Sequence, residues 1–368
     1  MPYPMLDRFK LKMESLARRP RNKQSIETDH VPLAAQPKNL SGAAREAIQE
    51  AAARIRAARN AGKPVILATG AHTIKNGLGP VLIHLMATGS VTHLATNGAG
   101  IIHDWEFAFQ GRSGEDVEAN TAKGLFGNWE ETGFFINLAL ILGAYEGKGY
   151  GESIGAMIQS EGLTIPSPEE LLAAVRSVDR EPERAAAAAD VLWAIGRKSF
   201  GLKAGRLSIP HPYKQYSVQA AAVRLGVPST GHPMIGHDII YNHPLNHCAA
   251  VGRCAERDFL AYAHNISQLD GGVYLSVGSA VMSPMIFEKS LSMGQNLALQ
   301  RGEHIDRHYI LVVDLAPSRW DWRSGEPPAD NPDYYLRYCK TFSRMGGTMK
   351  YVTADNRDFL LELAHQLT

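Results

Sequence analysis

The stretch PVILATGAHTIKNGLGPVLIHLMATGSVTHLATNGAG, residues 64–100, decides the fold that this chain of 368 residues is expected to adopt. Residues 64–68 form a short apolar run bounded by glycines, and such runs are typical of a buried strand. Residues 91–96 predict a second strand, followed directly by a glycine-rich turn. Between them, apolar residues recur at helical spacing and predict an amphipathic helix of about three turns: Ile74, Leu78, Val81, Leu82 and Leu85. A strand, a helix and a strand joined by short links make a βαβ unit, which indicates a parallel sheet covered by helices.

The rest of the chain repeats this alternation, so the sequence predicts an α/β fold with a Rossmann-like, doubly wound parallel sheet. Residues 1–40 lack periodicity and are interpreted as an N-terminal arm before a single α/β domain, 41–368, with a helical excursion near 160–200. A loop rich in Pro, Asp, Trp and Gly is expected at 316–333, long enough to be functional. Further strands are expected at 271–277, 309–314 and 350–353, and helices at 41–60, 131–145, 168–177, 183–195, 214–225, 286–297 and 356–367.

Composition excludes several classes of partner. The 38 Lys and Arg residues balance 37 Asp and Glu residues, which gives no bulk attraction to nucleic acid or to a membrane surface. The basic segment 9–23 lacks the apolar core of a signal peptide, and no run approaches the roughly 18 apolar residues that span a bilayer. Three cysteines without metal-type spacing fit a reducing compartment. We therefore expect a cytoplasmic protein with a small-molecule substrate, and we interpret segment 9–23 as a mobile or surface-docked arm.

Small and polar residues follow both strands of the first βαβ unit, at the sheet edge where α/β proteins bind ligands. Residues 69–72 follow the first strand and residues 96–104 the second. Glycines at such turns let the backbone approach a phosphate that faces helix N–H groups. Glycine-rich turns are also common between strands and helices that bind no ligand, so the pattern leaves open both a phosphate-binding turn and an ordinary structural turn.

Residues 70–77 and 96–104 resemble the first nucleotide-binding segment of the deoxyhypusine synthase family, without a gap between them. Residues 236–243 are similar to that family's Gly-Asp-Met-Ile-Phe-Phe-His motif, and residues 277–281 to its Gly-Gly-Gly-Val-Val motif. Residues 332–340 align without gaps on Pro-Asp-Glu-Ala-Val-Ser-Trp-Gly-Lys, whose lysine forms an imine in the family. A closing match at residues 353–356 to the family's Ala-Asp-Ala motif keeps the same order.

The resemblance implies NAD as the cofactor and a homotetramer, a dimer of dimers with the ligand cleft at the dimer interface. It implies that Lys340 is the imine-forming residue and that Asp238 and His243 position or deprotonate the substrate. The implied substrate contacts are His103, Asp104, Tyr334 and Tyr338. The implied cofactor contacts are Ala71, His72, Asn97, Gly98, Gly100, Gly278, Ser279 and Asp355.

Several departures argue against the family's own reaction. Ile102 and His103 stand where the family has two glutamates, and Tyr334 and Tyr338 replace a glutamate and a tryptophan. A diamine needs carboxylates at both ends of its pocket. We therefore do not expect deoxyhypusine synthesis itself. Aromatic neighbours could desolvate Lys340 and make it nucleophilic, or Lys340 could be an ordinary surface lysine.

Four histidines, His232, His237, His243 and His247, fall close together around Asp238. Such a cluster could bind a metal, supply a general base near neutral pH, or serve structural roles. Their spacing matches no regular zinc pattern, and no metal site is predicted.

Three functional hypotheses follow. The first is a transferase of the deoxyhypusine synthase type, which uses NAD to oxidise a carbon–nitrogen centre of a small amine or polar metabolite and passes the group through Lys340. The second is a hydrolase or lyase that uses the His/Asp cluster. The third is a non-catalytic, ligand-binding relative.

Overall fold

The computed structural model describes residues 3–20 and 22–368 and has a central sheet of six parallel strands. From one edge to the other the strand order is β3-β2-β1-β4-β5-β6, which is the order of a Rossmann-like, doubly wound sheet. The predicted fold class is therefore confirmed. In chain order the strands are β1 (Val65–Thr69), β2 (His93–Asn97), β3 (Ser229–His232), β4 (Val273–Val277), β5 (Tyr309–Asp314) and β6 (Thr348–Thr353).

Helices cover both faces of this sheet. Along β1, Val65 and Leu67 pack into one apolar cluster, whereas Ile66 and Ala68 pack into another on the opposite face. This alternation follows from the two-residue period of a strand. The helices are α1 (Ile26–Asp29), α2 (Gly42–Asn60), α3 (Ala71–Lys75), α4 (Gly79–Ala87), α5 (Gly98–Gln110), α6 (Val117–Ala122), α7 (Glu130–Glu146), α8 (Tyr150–Ser160), α9 (Pro168–Arg176), α10 (Pro182–Gly196), α11 (Val218–Leu225), α12 (Cys248–Ser267), α13 (Met282–Leu299), α14 (Arg337–Phe342) and α15 (Asn356–Leu367).

Residues 98–228, between β2 and β3, build a largely helical layer, and their apolar cluster also takes in Leu16 of the arm and residues of α12 such as Val251 and Cys254. Helices α9 and α10, near the predicted excursion, belong to it. Short antiparallel strands also lie outside the main sheet: Gln24–Ser25 pairs with Arg112–Ser113, and Gly162–Ile165 pairs with Gly205–Ser208. Within residues 3–20 and 22–368, no helix is both long and apolar enough to cross a membrane.

The helix predicted between β1 and β2 is broken into α3 and α4, which corrects the sequence expectation. Gly77 lies between them with φ +79°, a backbone conformation that favours glycine. A Cβ at this position would collide with the backbone of Asp29. The glycine therefore lets the backbone of the N-terminal arm pack closely against this turn, and the turn changes the direction of the chain after α3.

The described part of the arm is docked on the domain. Leu16 is 1% exposed, and the backbone of Glu14 exchanges hydrogen bonds with the segment around Trp129. Arg19 enters the interior beside α5. The arm was expected to be either mobile or docked on the surface, and docking describes residues 3–20 better. The Arg19 side chain is buried in the domain and does not stay on its surface.

Candidate active-site cavity

A cavity of about 220 Å³ lies where α5 begins, next to α3 and the arm. It occupies the carboxyl edge of the parallel sheet, where open α/β folds place ligands. Its polar and charged lining residues are Arg19, Lys75, His103, Glu106, Glu115, His237 and Asp238, and its bulky apolar ones are Ile102, Val117, Phe126 and Ile239.

Asp238 is the carboxylate of this cavity with an unused acceptor. Its side chain accepts a hydrogen bond from the backbone N–H of Ala99, while Oδ2 has no partner among the described residues. Burial raises the pKa of Asp238 to about 6, against the lowering effects of His237 and the Ala99 N–H. A carboxylate with this pKa can take a proton near neutral pH. Gly98 permits the close approach, because a Cβ there would collide with the Asp238 carboxylate.

His103 faces the same cavity and is hydrogen-bonded from behind. Its Nδ1 lies 2.6 Å from the Ser113 hydroxyl, which in turn donates to Glu106 Oε2 at 2.6 Å. Burial is the main reason that the pKa of His103 falls to about 4, with Glu106 opposing it. The imidazole is therefore neutral at physiological pH, and its predicted contact with substrate stays a prediction.

Arg19 and Glu106 form a buried ion pair at the back of the cavity. Both side chains are 1% exposed, and two parallel hydrogen bonds of 2.7 and 2.8 Å join them. Thr132 donates a further bond of 3.0 Å to Glu106. Burial alone would raise the pKa of Glu106, but the charge and hydrogen bonds of Arg19 lower it overall. The sequence showed only a basic arm, and nothing in its pattern distinguished Arg19 from the neighbouring basic residues.

Lys75 is a cation of this cavity that forms no ion pair with any residue of 3–20 or 22–368. Burial, and next the charge of Lys23, lower the pKa of Lys75. A partly desolvated cation without an acid partner is suited to an anionic group of a ligand.

A second depression, here called the crevice, opens at the carboxyl ends of β4, β5 and β6 and has a volume of about 230 Å³. It brings together three of the predicted cofactor residues, His72, Gly278 and Asp355. Gly278 has φ +60°, and its carbonyl lies where a Cβ of Gly70 would be. The crevice and the cavity flank the same short helix, α3.

The other predicted cofactor residues serve the protein's own packing. Asn97 caps α5 by accepting from Gly100 N–H at 3.0 Å, and Thr96 fills the space beside Gly100. Ser279 accepts a hydrogen bond from Ser283 N–H at the start of α13. Ala71 is the first residue of α3. Gly98 and Gly100 after β2 accommodate Asp238 and Thr96, which agrees with the structural one of the two interpretations left open by the sequence.

Asp104, predicted to contact substrate, lies outside the cavity lining and is 2% exposed. Its carboxylate accepts hydrogen bonds from the Ser217 hydroxyl at 2.6 Å and from the N–H groups of Val218 and Gln219. Burial raises the pKa of Asp104 to about 6, although these three donors oppose the shift. Asp104 holds the N-terminus of α11, which is a structural task.

His243 is not joined to Asp238 by a hydrogen bond. Its Nδ1 accepts the N–H of Leu245 at 3.0 Å, and Nε2 lies 3.3 Å from Glu130. Both imidazole nitrogens of His243 thus have partners within the described residues, and the role predicted for His243 together with Asp238 stays a prediction.

The remaining members of the histidine cluster separate in space. His232 bonds to Thr230 inside the sheet, His247 approaches Asp190, and His237 lines the cavity. Across residues 3–20 and 22–368, no group of three or more His, Cys, Asp or Glu residues could hold a metal ion.

Lys340 lies on α14, away from the lining of both the cavity and the crevice. Its Nζ is 2.5 Å from Glu326 and 3.5 Å from the ring centre of Tyr334. The hydrogen bonds to Glu326 and then Tyr334 raise the pKa of Lys340, whereas an imine-forming lysine needs a lowered pKa. Tyr338 is 3.5 Å from the Tyr351 hydroxyl, and burial raises its pKa to about 12. These residues form one aromatic neighbourhood, apart from Asp238.

No protein-family model matches the sequence, and a search of curated proteins finds no match. Among solved structures, AgrE in a ternary complex with ornithine and NAD+ is similar at a TM-score of 0.45 and 16% identity, over 90% of this chain and 34% of that one. ArgZ, an arginine dihydrolase from cyanobacteria, gives a TM-score of 0.42 at 16% identity, over 88% of this chain and 32% of that one. A conserved LOR/SDH protein from Methanococcus maripaludis S2 gives 0.45 at 13% identity, over 90% of this chain and 71% of that one.

This chain thus spans about a third of the length of the AgrE and ArgZ chains. At these scores the likeness carries no argument about activity, and none of these three proteins is a deoxyhypusine synthase. The fold class therefore rests on the topology of the sheet itself, and deoxyhypusine synthase remains a resemblance of short motifs.

Proposed function

We propose that this protein is an NAD-dependent enzyme that dehydrogenates a small polar metabolite at a carbon–nitrogen bond and transfers a group through a lysine imine. The observation that carries the proposal is the Asp238 carboxylate, whose Oδ2 has no partner and whose pKa is raised to about 6. It lines a cavity at the edge of a doubly wound sheet where such folds bind cofactors and substrates.

The crevice residues fit a dinucleotide. Asp314 and Asp355 supply carboxylates of the kind that accept ribose hydroxyls in this fold class. Gly278 presents no side chain to the crevice, and the chain beyond it enters α13, whose N-cap residue Val281 makes no side-chain cap. Ser279 accepts the N–H of Ser283 at this helix start, and the other N–H groups of the first turn would face a pyrophosphate. When bound, NAD would accept a hydride from the substrate carbon.

The residues of the cavity would supply the proton chemistry and the binding. Asp238, ionised above its pKa of about 6, accepts the proton that leaves the substrate nitrogen. His103 offers a second acceptor in the same cavity, and Lys75 pairs with an anionic group of the metabolite. The apolar wall around Ile102 and Phe126 would exclude water from this reaction.

In this proposal Lys340, on α14, forms the imine. Its ion pair with Glu326 must break, and its proton must leave, before the amine can attack a carbon. The transferase assignment and the homotetramer, with a cleft shared between subunits, likewise stand as proposals from the family resemblance.

A hydrolase or lyase is the second candidate. It is favoured by the meeting of His103 and Asp238 in one cavity, since acid–base chemistry on a bound metabolite needs no redox cofactor. Activity in the absence of NAD would distinguish it from the first candidate.

The deciding experiment is NAD titration by calorimetry with the purified chain and with an Asp355→Asn variant, using Asp330→Asn as the matched exposed control. Micromolar binding that the Asp355 change weakens, with the Asp330 variant unchanged, is the expected result. Incubation with NAD, candidate amines and borohydride, compared with a Lys340→Ala variant, then tests the imine. No NAD binding at millimolar concentration would overturn the redox proposal in favour of the hydrolase or lyase.

A further inference from the structure

The arm, α5 and the short strand Arg112–Ser113 meet in one chain of hydrogen bonds behind the cavity. From the inside outward, Arg19 donates hydrogen bonds to Glu106, Glu106 accepts a hydrogen bond from the Ser113 hydroxyl, and the Ser113 oxygen contacts His103 Nδ1. Every heavy-atom distance along the chain lies between 2.6 and 2.8 Å. Glu106 is 1% exposed and Ser113 is fully buried, so water does not compete with these bonds.

The direction of each hydrogen bond follows from the chemistry of the groups. Arg19 lowers the pKa of Glu106, so Glu106 is ionised and can only accept. The single hydrogen of the Ser113 hydroxyl must then point at Glu106, which leaves the Ser113 oxygen as an acceptor. A contact of 2.6 Å between that oxygen and His103 Nδ1 therefore requires a hydrogen on Nδ1.

We infer that Ser113, Glu106 and Arg19 are positioning residues that hold neutral His103 with its hydrogen on Nδ1, so that Nε2 is the proton acceptor presented to the substrate. A neutral imidazole has one donor and one acceptor nitrogen, and Nε2 has no hydrogen-bond partner within residues 3–20 and 22–368. The N-terminal arm is thereby part of the active site through Arg19. This inference rests on the proposed function only in taking the cavity as the place of chemistry.

The tautomer of His103 can be measured without substrate or cofactor. The full-length protein, labelled with ¹⁵N in its 14 histidines, is studied by long-range ¹H–¹⁵N correlation, with a His103→Gln variant to assign the signals. The expected spectrum shows a protonated Nδ1 and an unprotonated Nε2 for His103 near pH 7. A hydrogen on Nε2 in the wild-type protein would overturn the inference.

The positioning role is tested with Ser113→Ala and with Ser153→Ala as the matched buried control, because Ser153 donates to Gly149 and does not touch the cavity. Loss of the acceptor oxygen in the Ser113 variant should shift the His103 signals towards the tautomer with hydrogen on Nε2. The Ser153 variant should leave them unchanged. An unchanged His103 spectrum in a folded Ser113 variant would contradict the role of Ser113.

Catalysis provides a second measurement. Once turnover is measurable, Ser113→Ala should lower kcat about tenfold with little change in KM, because a wrongly protonated imidazole still binds but cannot accept a proton. If NAD does not bind but His103 carries its hydrogen on Nδ1, the proposed function is rejected and this inference stands. If NAD binds but His103 carries its hydrogen on Nε2, this inference is rejected and the proposed function stands. An equal change in kcat and KM would count against the positioning role.

Discussion

Two ion pairs mark the two regions in which the sequence predicted catalytic residues, and their settings differ. In the cavity, Arg19 and Glu106 are each 1% exposed and form two parallel hydrogen bonds. Near the C-terminus, Lys340 and Glu326 are 18% and 26% exposed and meet through one contact. The first pair is shielded from water and fixes its neighbours, whereas the second is only partly buried, so water can reach it.

This difference shows that the pKa and the reactivity of a charged side chain depend on its partners and on its burial. Around the buried pair, Asp238 keeps an unused oxygen and His103 is held neutral. Around the exposed pair, Lys340 is held as a cation. Both regions contain residue types that could be catalytic, and only the cavity gives them altered acid–base properties in the direction that catalysis needs.

The largest effect is expected from Arg19→Met. Removing one member of a buried ion pair leaves Glu106 charged and unpaired, which typically costs about 3–5 kcal/mol of the free energy of unfolding. Urea denaturation measures this loss, with Arg18→Met as the control, because the Arg18 side chain is 79% exposed. If Arg19→Met lowers the free energy of unfolding no more than Arg18→Met does, the buried Arg19–Glu106 pair does not stabilise the cavity, and its contrast with the Lys340–Glu326 pair is lost.

The next effect is expected from Asp238→Asn. Because the pKa of Asp238 rises from 3.8 to about 6 on folding, the protonated form is favoured in the folded state. The wild-type protein should therefore lose stability as the pH rises from about 4 to about 6, by up to about 3 kcal/mol. The variant should lack the part of this loss that is due to Asp238 while keeping the part that is due to Asp104, and its turnover should fall by about a hundredfold or more.

Asp104→Asn is the matched control, because burial raises the pKa of Asp104 to the same value, about 6. Its oxygens have three donors, so the amide should destabilise the protein by about 1–3 kcal/mol at every pH above 6. Equal behaviour of the two variants would contradict the distinction between a satisfied and an unused carboxylate.

A smaller effect is expected from Gly98→Ala. The added methyl group would collide with the Asp238 carboxylate, and such overpacking typically costs about 1–3 kcal/mol. Circular dichroism on heating measures this cost. Gly252→Ala serves as the control because a Cβ at Gly252 meets nothing within 4 Å. An unchanged melting temperature for Gly98→Ala would mean that Asp238 is not packed against α5.

The smallest effect on stability is expected from Lys340→Met, since an ion pair that water can reach contributes little. Its denaturant midpoint should stay close to that of the wild type. Glu326→Gln should instead make Lys340 more reactive towards reductive methylation, because the carboxylate that raises its pKa is gone. If Lys340→Met lowers the free energy of unfolding as much as Arg19→Met does, the two ion pairs contribute equally to stability and the contrast between them is wrong.

Much of the fold could be predicted because its segments carry their own patterns. The strands at 309–314 and 350–353 and the helices at 356–367 and 131–145 are all present within one or two residues of the expected bounds. Other elements lacked a local signal. The strand β3 reads Ser-Thr-Gly-His, which is not apolar, and it is buried because β2 and helices cover it. Helix α12 has 20 residues and was also missed.

The candidate site was predicted less well. His103 and Asp238 were identified through their motifs, and His72, Gly278 and Asp355 do come together in the crevice. Asp104 was assigned to substrate because it is the one acid retained from the family's motif at that position, and in the structure it accepts hydrogen bonds from the start of α11. Arg19 was missed because its partner, Glu106, lies 87 positions away in the sequence.

By itself, the sequence determined the α/β class, most of the strands and helices, and the sheet edge at which polar residues collect, because hydrophobic periodicity and glycine-rich turns act over a few residues. Only the tertiary structure decided which carboxylate is satisfied and which is free, which histidine tautomer is held and which lysine is paired. These properties depend on contacts between segments far apart in the chain, and on burial, which strengthens or removes the charge of each group.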